Sequence, residues 1–303
     1  MDLLFSFLFP VVIISLTAAA LAVALWLWRR EIQKRNRRNP LTRSMLRGPG
    51  ESLRTEIEDL EVESSFWLLM TFTAPFLLFS THISRLYFLS KTTSVTETTT
   101  MLVTIIIVLL FMIRKVLRNI DLMRRKRLGM EGEIATGEEL NQLMLVGCRV
   151  FHDIPFEYGN IDHVVVSTSG VFSVETKTHA KLNENGSEKV TIDFNNNIVK
   201  FSDWNWKIPT KQLETNARWL SQYLTSATGM RVETEAMLAL PGYYIVKRIG
   251  KGSVFVFNPK QPKKFFLNSR TVLSSQQVQQ IAHQLEQLCR DVEPSFGYKK
   301  AKG

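Results

Sequence analysis

Three apolar runs dominate the first 128 residues, and shorter alternating or amphipathic patterns fill the remainder. Leu3 to Trp28 is almost unbroken apolar sequence, longer than the roughly 20 residues a spanning helix needs. Ser65 to Ile83 is a second run; it contains Pro75, which membrane helices tolerate. The third, "TTTMLVTIIIVLLFMI", has a strictly apolar core from Met101 to Ile113. That core is short enough for a buried soluble helix to compete with a membrane crossing. The expected spanning helices cover about 3–28, 65–85 and 98–116, with a basic loop at 29–64. Within that loop "ESLRTEIEDLEVES" puts Leu53, Ile57 and Leu60 on one helical face, as a short amphipathic helix or a solvated linker would.

From Gly129 the patterning is that of a mixed α/β domain. "EGEIATGEELNQLMLVG" predicts a helix with Leu140, Leu143 and Met144 inward, ended by Gly147. "CRVFHDIP" predicts a strand, and "NIDHVVVSTSGVFSVETKTHAK" two strands joined by a short polar turn. "KVTIDFNNNIVKFSDW" gives further strand around a turn at "NNN". A second helix follows Pro209, then strand-like "VETEAMLALPG" and "GSVFVFNP". A last amphipathic helix, "SSQQVQQIAHQLEQLCRDV", starts at a serine cap.

Charge adds an orientation. The net charge is +10, but residues 1–127 carry 18 Lys and Arg against 10 Asp and Glu, and residues 128–303 carry 20 against 18. The excess therefore reports on membrane topology before it reports on any polyanionic substrate. No basic residue precedes the first run and "RREIQKRNRR" follows it, the reverse of a signal peptide, so an uncleaved anchor with its N-terminus outside is expected. Residues 29–64 hold nine Lys and Arg and residues 114–127 hold seven, whereas the connection 84–97 holds only Arg85 and Lys91. Two basic flanks on one side imply an even number of crossings between them. The expected location is a bacterial-type inner (plasma) membrane, multi-pass, with the lipid bilayer as partner and the C-terminal domain cytoplasmic. Two cysteines without a CxxC pair and five scattered histidines argue against a Cys/His zinc site.

The hairpin carries the candidate chemistry. With Ser167 to Gly170 as the loop, Val166 pairs with Val171, and stepping outward sets Asp162 opposite Glu175. Period two puts Asp162, Val164, Val166, Val171, Ser173, Glu175 and Lys177 on one face, and Ile161, His163, Val165, Phe172 and Val174 on the other. Opposed like charges repel, so Lys177, a divalent cation or a different register must compensate them. A lone Glu-x-Lys is ordinarily a solvated pair. Glu133 and Glu139 both flank the Leu140 stripe, and periodicity does not choose between them. Gln212 fits an exposed helix position as well as a site. Trp204 and Trp206, near Lys200, Lys207 and Lys211, fit either stacking on nucleic acid or, by alternation, one core-facing strand surface.

The run "GNIDHVVVSTSGVFSVETK", preceded by "GE" on a helix and followed by "KQLETNARWL", resembles the nuclease-related domain (NERD) family, a branch of the PD-(D/E)xK superfamily. The likeness covers roughly Gly129 to Leu285. It implies an α/β restriction-endonuclease-like core over 129–291, in which a helix, a mixed sheet of about four to five strands and flanking helices follow the three transmembrane helices of region 1–128. A basic tail occupies 292–303. The resemblance assigns the metal-binding acid to Asp162, the second acid to Glu175 and the lysine to Lys177. It favours Glu133 as the helix acid and Gln212 as the second-helix glutamine, with the Thr176 carbonyl as a further ligand. The implied activity is magnesium- or manganese-dependent hydrolysis of phosphodiester bonds, with nucleic acid, DNA foremost, as partner. The rival expectation is a membrane-anchored, non-catalytic binding or scaffold module on the same fold.

Overall fold

The computed structural model describes residues 2–34, 39–89, 94–157, 159–182, 187–267 and 270–294. The basic tail expected at 292–303 lies outside the described residues from Ser295 onward. The chain divides into two compact units, residues 1–40 with 58–124, and residues 41–57 with 125–294.

Three helices supply the first unit: α1 (Asp2–Lys34), most of α2 (Glu51–Leu89) and the first part of α3 (Val95–Asn141). All three are long and apolar enough to cross a membrane. Leu16, Phe72, Phe76, Val103 and Ile107 are exposed, the surface expected of helices that meet lipid. Trp67 and Phe111 meet edge to face at 5.9 Å, and Lys115 pairs with Glu63 at 2.9 Å. Two elements expected to be separate are continuous. The amphipathic 51–64 stretch and the second apolar run form one helix containing Pro75, and α3 carries both the third run and the helix expected from Gly129.

The second unit is built on a five-stranded sheet in the order β1-β2-β3-β7-β9. Its strands are β1 (Arg149–Phe156), β2 (Gly159–Ser167), β3 (Gly170–Thr176), β7 (Thr234–Ala239) and β9 (Phe255–Phe257). β1, β2 and β3 are antiparallel; β7 joins β3, and β9 joins β7, in parallel. The hairpin register is Val166↔Val171 and Ser167↔Gly170, running to His163↔Val174. One face packs Val164, Val166 and Val171 under Leu220 and Leu224 of α4 (Thr210–Thr228) and Ile281 and Leu285 of α6 (Ser275–Leu288). The other packs Val165, Phe172 and Val174 against Leu140, Leu143, Phe257 and Phe266, the last in the one-turn helix α5 (Lys263–Phe266). Ser274 caps α6 through a capping box with Gln277.

Where one mixed sheet of four to five strands was expected, a second sheet is present. Its order is β6-β5-β4-β8, from β4 (Lys189–Asp193), β5 (Ile198–Lys200), β6 (Asn205–Lys207) and β8 (Tyr244–Ile249). β8 pairs with β4 in parallel at one edge, and its mostly exposed side chains leave no alternation to read. Two other expectations change. Met144 is 46% exposed because residues 142–146 form a 3₁₀ turn, whose 120° step separates it from Leu143. Ile161 packs with Val164 rather than on the opposite face. Across the pair, Asp153 has φ +51, so Phe151 and Ile154, three residues apart, reach the same core, and the alternation breaks at one level in both strands.

Candidate functional site

The β2–β3 ladder ends at His163↔Val174, and one step beyond it stand Asp162, inside β2, and Glu175, next to last in β3. Both are buried, as is Glu133, and all three line a hollow of about 640 Å³. Lys177, Lys211, Gln212 and Asn216 complete one side; Ser52, Leu53 and Glu56 form another. The structure therefore brings together Glu133, Asp162, Glu175, Thr176, Lys177 and Gln212, the six residues singled out by sequence. Glu139 lies outside the hollow and accepts from Gln142 Nε2 at 2.9 Å.

The three acids are held differently. Asp162 Oδ2 accepts the Thr176 backbone N–H at 2.7 Å. Glu175 is fully engaged: its Oε1 accepts from Lys177 Nζ at 2.7 Å and Gln212 Nε2 at 2.8 Å, and its Oε2 from Asn216 Nδ2 at 3.2 Å. Glu133 Oε2 is buried with no hydrogen-bond partner among the described residues. Burial, then the charges of Asp153 and Glu175, pushes the Glu133 carboxyl up to about 8. Burial, then Glu175 and Glu133, pushes Asp162 well above the ordinary carboxylate range. Burial works to lower the Lys177 ammonium, yet Glu175, Asp162 and Glu133 outweigh it and hold it above the usual lysine value.

Close packing puts Glu133 there. A Cβ on the preceding residue, Gly132, would fall inside the van der Waals radius of Thr178 Oγ1, so only glycine lets α3 approach the end of β3 so closely. Asn216, which the sequence reading did not single out, lies four residues after Gln212 and so on the same face of α4. The segment 41–57 was also missed as part of this unit. Buried Asp153 accepts from Ser52 N at 2.9 Å, Ser52 Oγ at 2.8 Å and Arg47 Nη1 at 2.9 Å, and Arg47 also grips Asp291 through Nε and Nη2. Asp153 thereby satisfies a free N–H in the first turn of α2.

Behind the hairpin runs a chain of neutral groups. Asn141 Oδ1, His152 Nε2 and Nδ1, His163 Nδ1 and Nε2, and Thr176 Oγ1 are linked at 3.0, 2.9 and 3.1 Å. One proton per link satisfies it when both rings are neutral, and burial lowers both histidine pKa values accordingly, His152 to about 4. His179 packs instead against Phe201, Trp204 and Trp206. The two tryptophans do not share a core face: Trp206 is half-buried, while Trp204 stacks on Phe201 at 4.7 Å with 38% of its surface exposed.

The class this defines is a mixed α/β protein with long apolar helices and an acid-rich hollow at the end of a β-hairpin. Residues 128–241 match the nuclease-related domain (NERD), and that segment contains Glu133, the whole hairpin, Gln212 and Asn216. The match points to a nuclease-related function. No curated protein and no solved structure matches the chain.

Proposed function

We propose that the protein is a membrane-anchored, metal-dependent nuclease of the PD-(D/E)xK type that hydrolyses phosphodiester bonds, with DNA as substrate. The observation that supports this most is the cluster of buried acids, two of them pushed toward protonation by burial and by neighbouring carboxylates, and one with an oxygen unpartnered among the described residues. Such a donor set fits a hard divalent cation, magnesium or manganese, held by Asp162, Glu175 and the Thr176 carbonyl. When bound, that ion would supply Lewis acidity toward the phosphoryl oxygens and acidity to a bound water. Lys177, kept as an ammonium by the acids, contacts the phosphoryl oxygens and balances charge that grows as water attacks phosphorus and the P–O ester bond breaks. Gln212 and Asn216 fix both oxygens of Glu175. Glu133, its carboxyl raised to about 8 and its Oε2 unpartnered among the described residues, can exchange a proton in the hollow.

The basic flanks supply the orientation: crossings over about 3–28, 65–85 and 98–116, the N-terminus outside and the nuclease-related domain in the cytoplasm of a bacterial-type inner membrane. The rival reading, a binding module without hydrolysis, draws on one observation. Among the described residues no three His, Cys, Asp or Glu side chains already converge as a ligand cluster. Incubating the full chain in nanodiscs with labelled single- and double-stranded DNA and RNA, with magnesium or manganese, decides between them. Cleavage should occur and fall by about 10² or more in Asp162→Ala and Lys177→Ala. Equal activity in both variants would remove the site assignment; absence of cleavage together with no calorimetric metal binding would favour the module.

A further inference from the structure

A cationic surface lies beyond residue 241, outside the segment that matches the nuclease-related domain. Residues 236–285 contain seven Lys and Arg and no Asp or Glu, whereas residues 128–303 as a whole are nearly balanced. All seven cations are exposed, and none forms an ion pair among the described residues. Three of them, Arg248, Lys260 and Lys264, line a hollow of about 500 Å³ between β8, β9 and α5, together with Tyr244, Phe255 and Gln261. The Arg248 guanidinium lies 4.9 Å from the centre of the Phe255 ring and is held there by donating to the Val256 carbonyl at 2.6 Å. Tyr244, on edge strand β8, is 51% exposed.

Unpaired cations around solvent-open rings suit a polyanion that also carries flat apolar faces, which is the chemistry of a single nucleic-acid strand. Shared walls connect this hollow to the acidic one. Arg248 and Phe255 also line a cavity of about 750 Å³ beside α4, and Glu214 links that cavity to one of about 600 Å³ at the start of α4. Lys211 and Gln212 then line both that cavity and the acidic hollow. The intermediate cavity beside α4 mixes Glu214, Glu233 and Glu235 with Arg218, Arg248 and Lys251, so the concentration of positive charge lies at the β8–β9–α5 end.

We propose that the hollow between β8, β9 and α5 is an anchoring site for single-stranded nucleic acid, separate from the acidic hollow. Phosphates contact Arg248, Lys260 and Lys264, and bases stack on Tyr244 and Phe255. The purpose of the site rests on the nuclease reading, but its existence is tested independently. Seven cations would also match anionic lipid headgroups; the concave shape, the amide of Gln261 and the continuity with the acidic hollow favour a strand.

The test uses the full chain in phosphatidylcholine nanodiscs with EDTA, and reads anisotropy of a fluorescent oligothymidylate across a range of salt. Lys260→Ala/Lys264→Ala should weaken binding about tenfold and flatten the log K against log salt slope by about 1.4, at about 0.7 per single-strand phosphate. Tyr244→Ala should weaken it roughly tenfold with the slope unchanged, a stacking loss. The readout is binding in EDTA, where no metal-dependent cleavage occurs, so failure of the catalytic reading and failure of this one are distinguishable. Native affinity and slope in both surface variants would overturn the proposal. So would protection of residues 244–265 from hydrogen exchange by phosphatidylglycerol nanodiscs but not by the oligonucleotide, which would assign the surface to lipid.

Discussion

Asp162 sets the proposed function against stability. Burial, then the charges of Glu175 and Glu133, opposes its ionisation, while burial, then Asp153 and Glu175, opposes that of Glu133. The folded pKa of Glu133, about 8, lies above its ordinary 4.5, so the folded state binds more protons between those values, and stability falls as pH rises through that window. Asp162→Asn removes one charge yet keeps an oxygen to accept the Thr176 N–H. In EDTA it should raise the unfolding temperature by a few degrees and remove Asp162's own share of the decline in stability above pH 3.8, while abolishing cleavage. Each pKa unit by which Asp162 is raised corresponds to about 1.4 kcal/mol. A lower unfolding temperature would contradict the repulsion. The histidine chain behind the site has the opposite sign. His152 is lowered from 6.5 to about 4, so the unfolded chain binds the extra proton between those values and stability falls as pH falls. The loss, up to about 3 kcal/mol, should appear in native-state hydrogen exchange of the β1–β3 amides, corrected for intrinsic rates. It should shrink in His152→Gln.

At the level of elements, the site depends on how closely α3 approaches the end of β3. Gly132→Ala would gain about 1 kcal/mol of helix propensity if α3 stood alone. Against Thr178, however, the added methyl has no room, and α3 must retreat with Glu133 attached. Cleavage should drop at least tenfold and recover in Gly132→Ala/Thr178→Gly. Gly129→Ala, whose methyl would meet only Leu53 at 3.4 Å, should stay close to native activity. An unchanged rate in Gly132→Ala would mean that Glu133 is not needed where it stands. These elements also show what the chain discloses in advance. The hairpin register is readable because two β-branched runs flank a turn of fixed length, and the register dictates which side chains meet. The choice of Glu133 over Glu139 is not readable, because both flank the same helical stripe and only tertiary contact with Thr178 separates them. β8 escapes notice because an exposed edge strand has no burial to imprint a period on its sequence. Asn216 was open to a simple rule, the four-residue spacing from Gln212 on one helical face.

For the molecule as a whole, the informative feature is that the domain carrying the acidic hollow is discontinuous in sequence. Residues 41–57 belong with 125–294, although an apolar run precedes them and two follow before the domain resumes. A linker pattern hides this because its contribution is polar and long-range: Arg47 and Ser52 reach Asp153, more than 100 residues away, and Arg47 continues to Asp291. The consequence is specific. A fragment of residues 128–303 leaves the Asp153 carboxylate with Asn160 but without Arg47 or Ser52. Stripping a buried charge of its partner costs about 3–5 kcal/mol. Urea unfolding of that fragment should therefore give a lower stability than the same fragment with residues 41–57 joined ahead of residue 128 by a flexible linker. Asp153→Asn should act with opposite signs in the two. In the short fragment it removes the stranded charge and raises stability, whereas in the joined one it breaks a formed pair with Arg47 and lowers it. A shift of the same sign in both would mean that Arg47 and Ser52 do not sustain Asp153, and that 41–57 is the solvated connection its composition suggests.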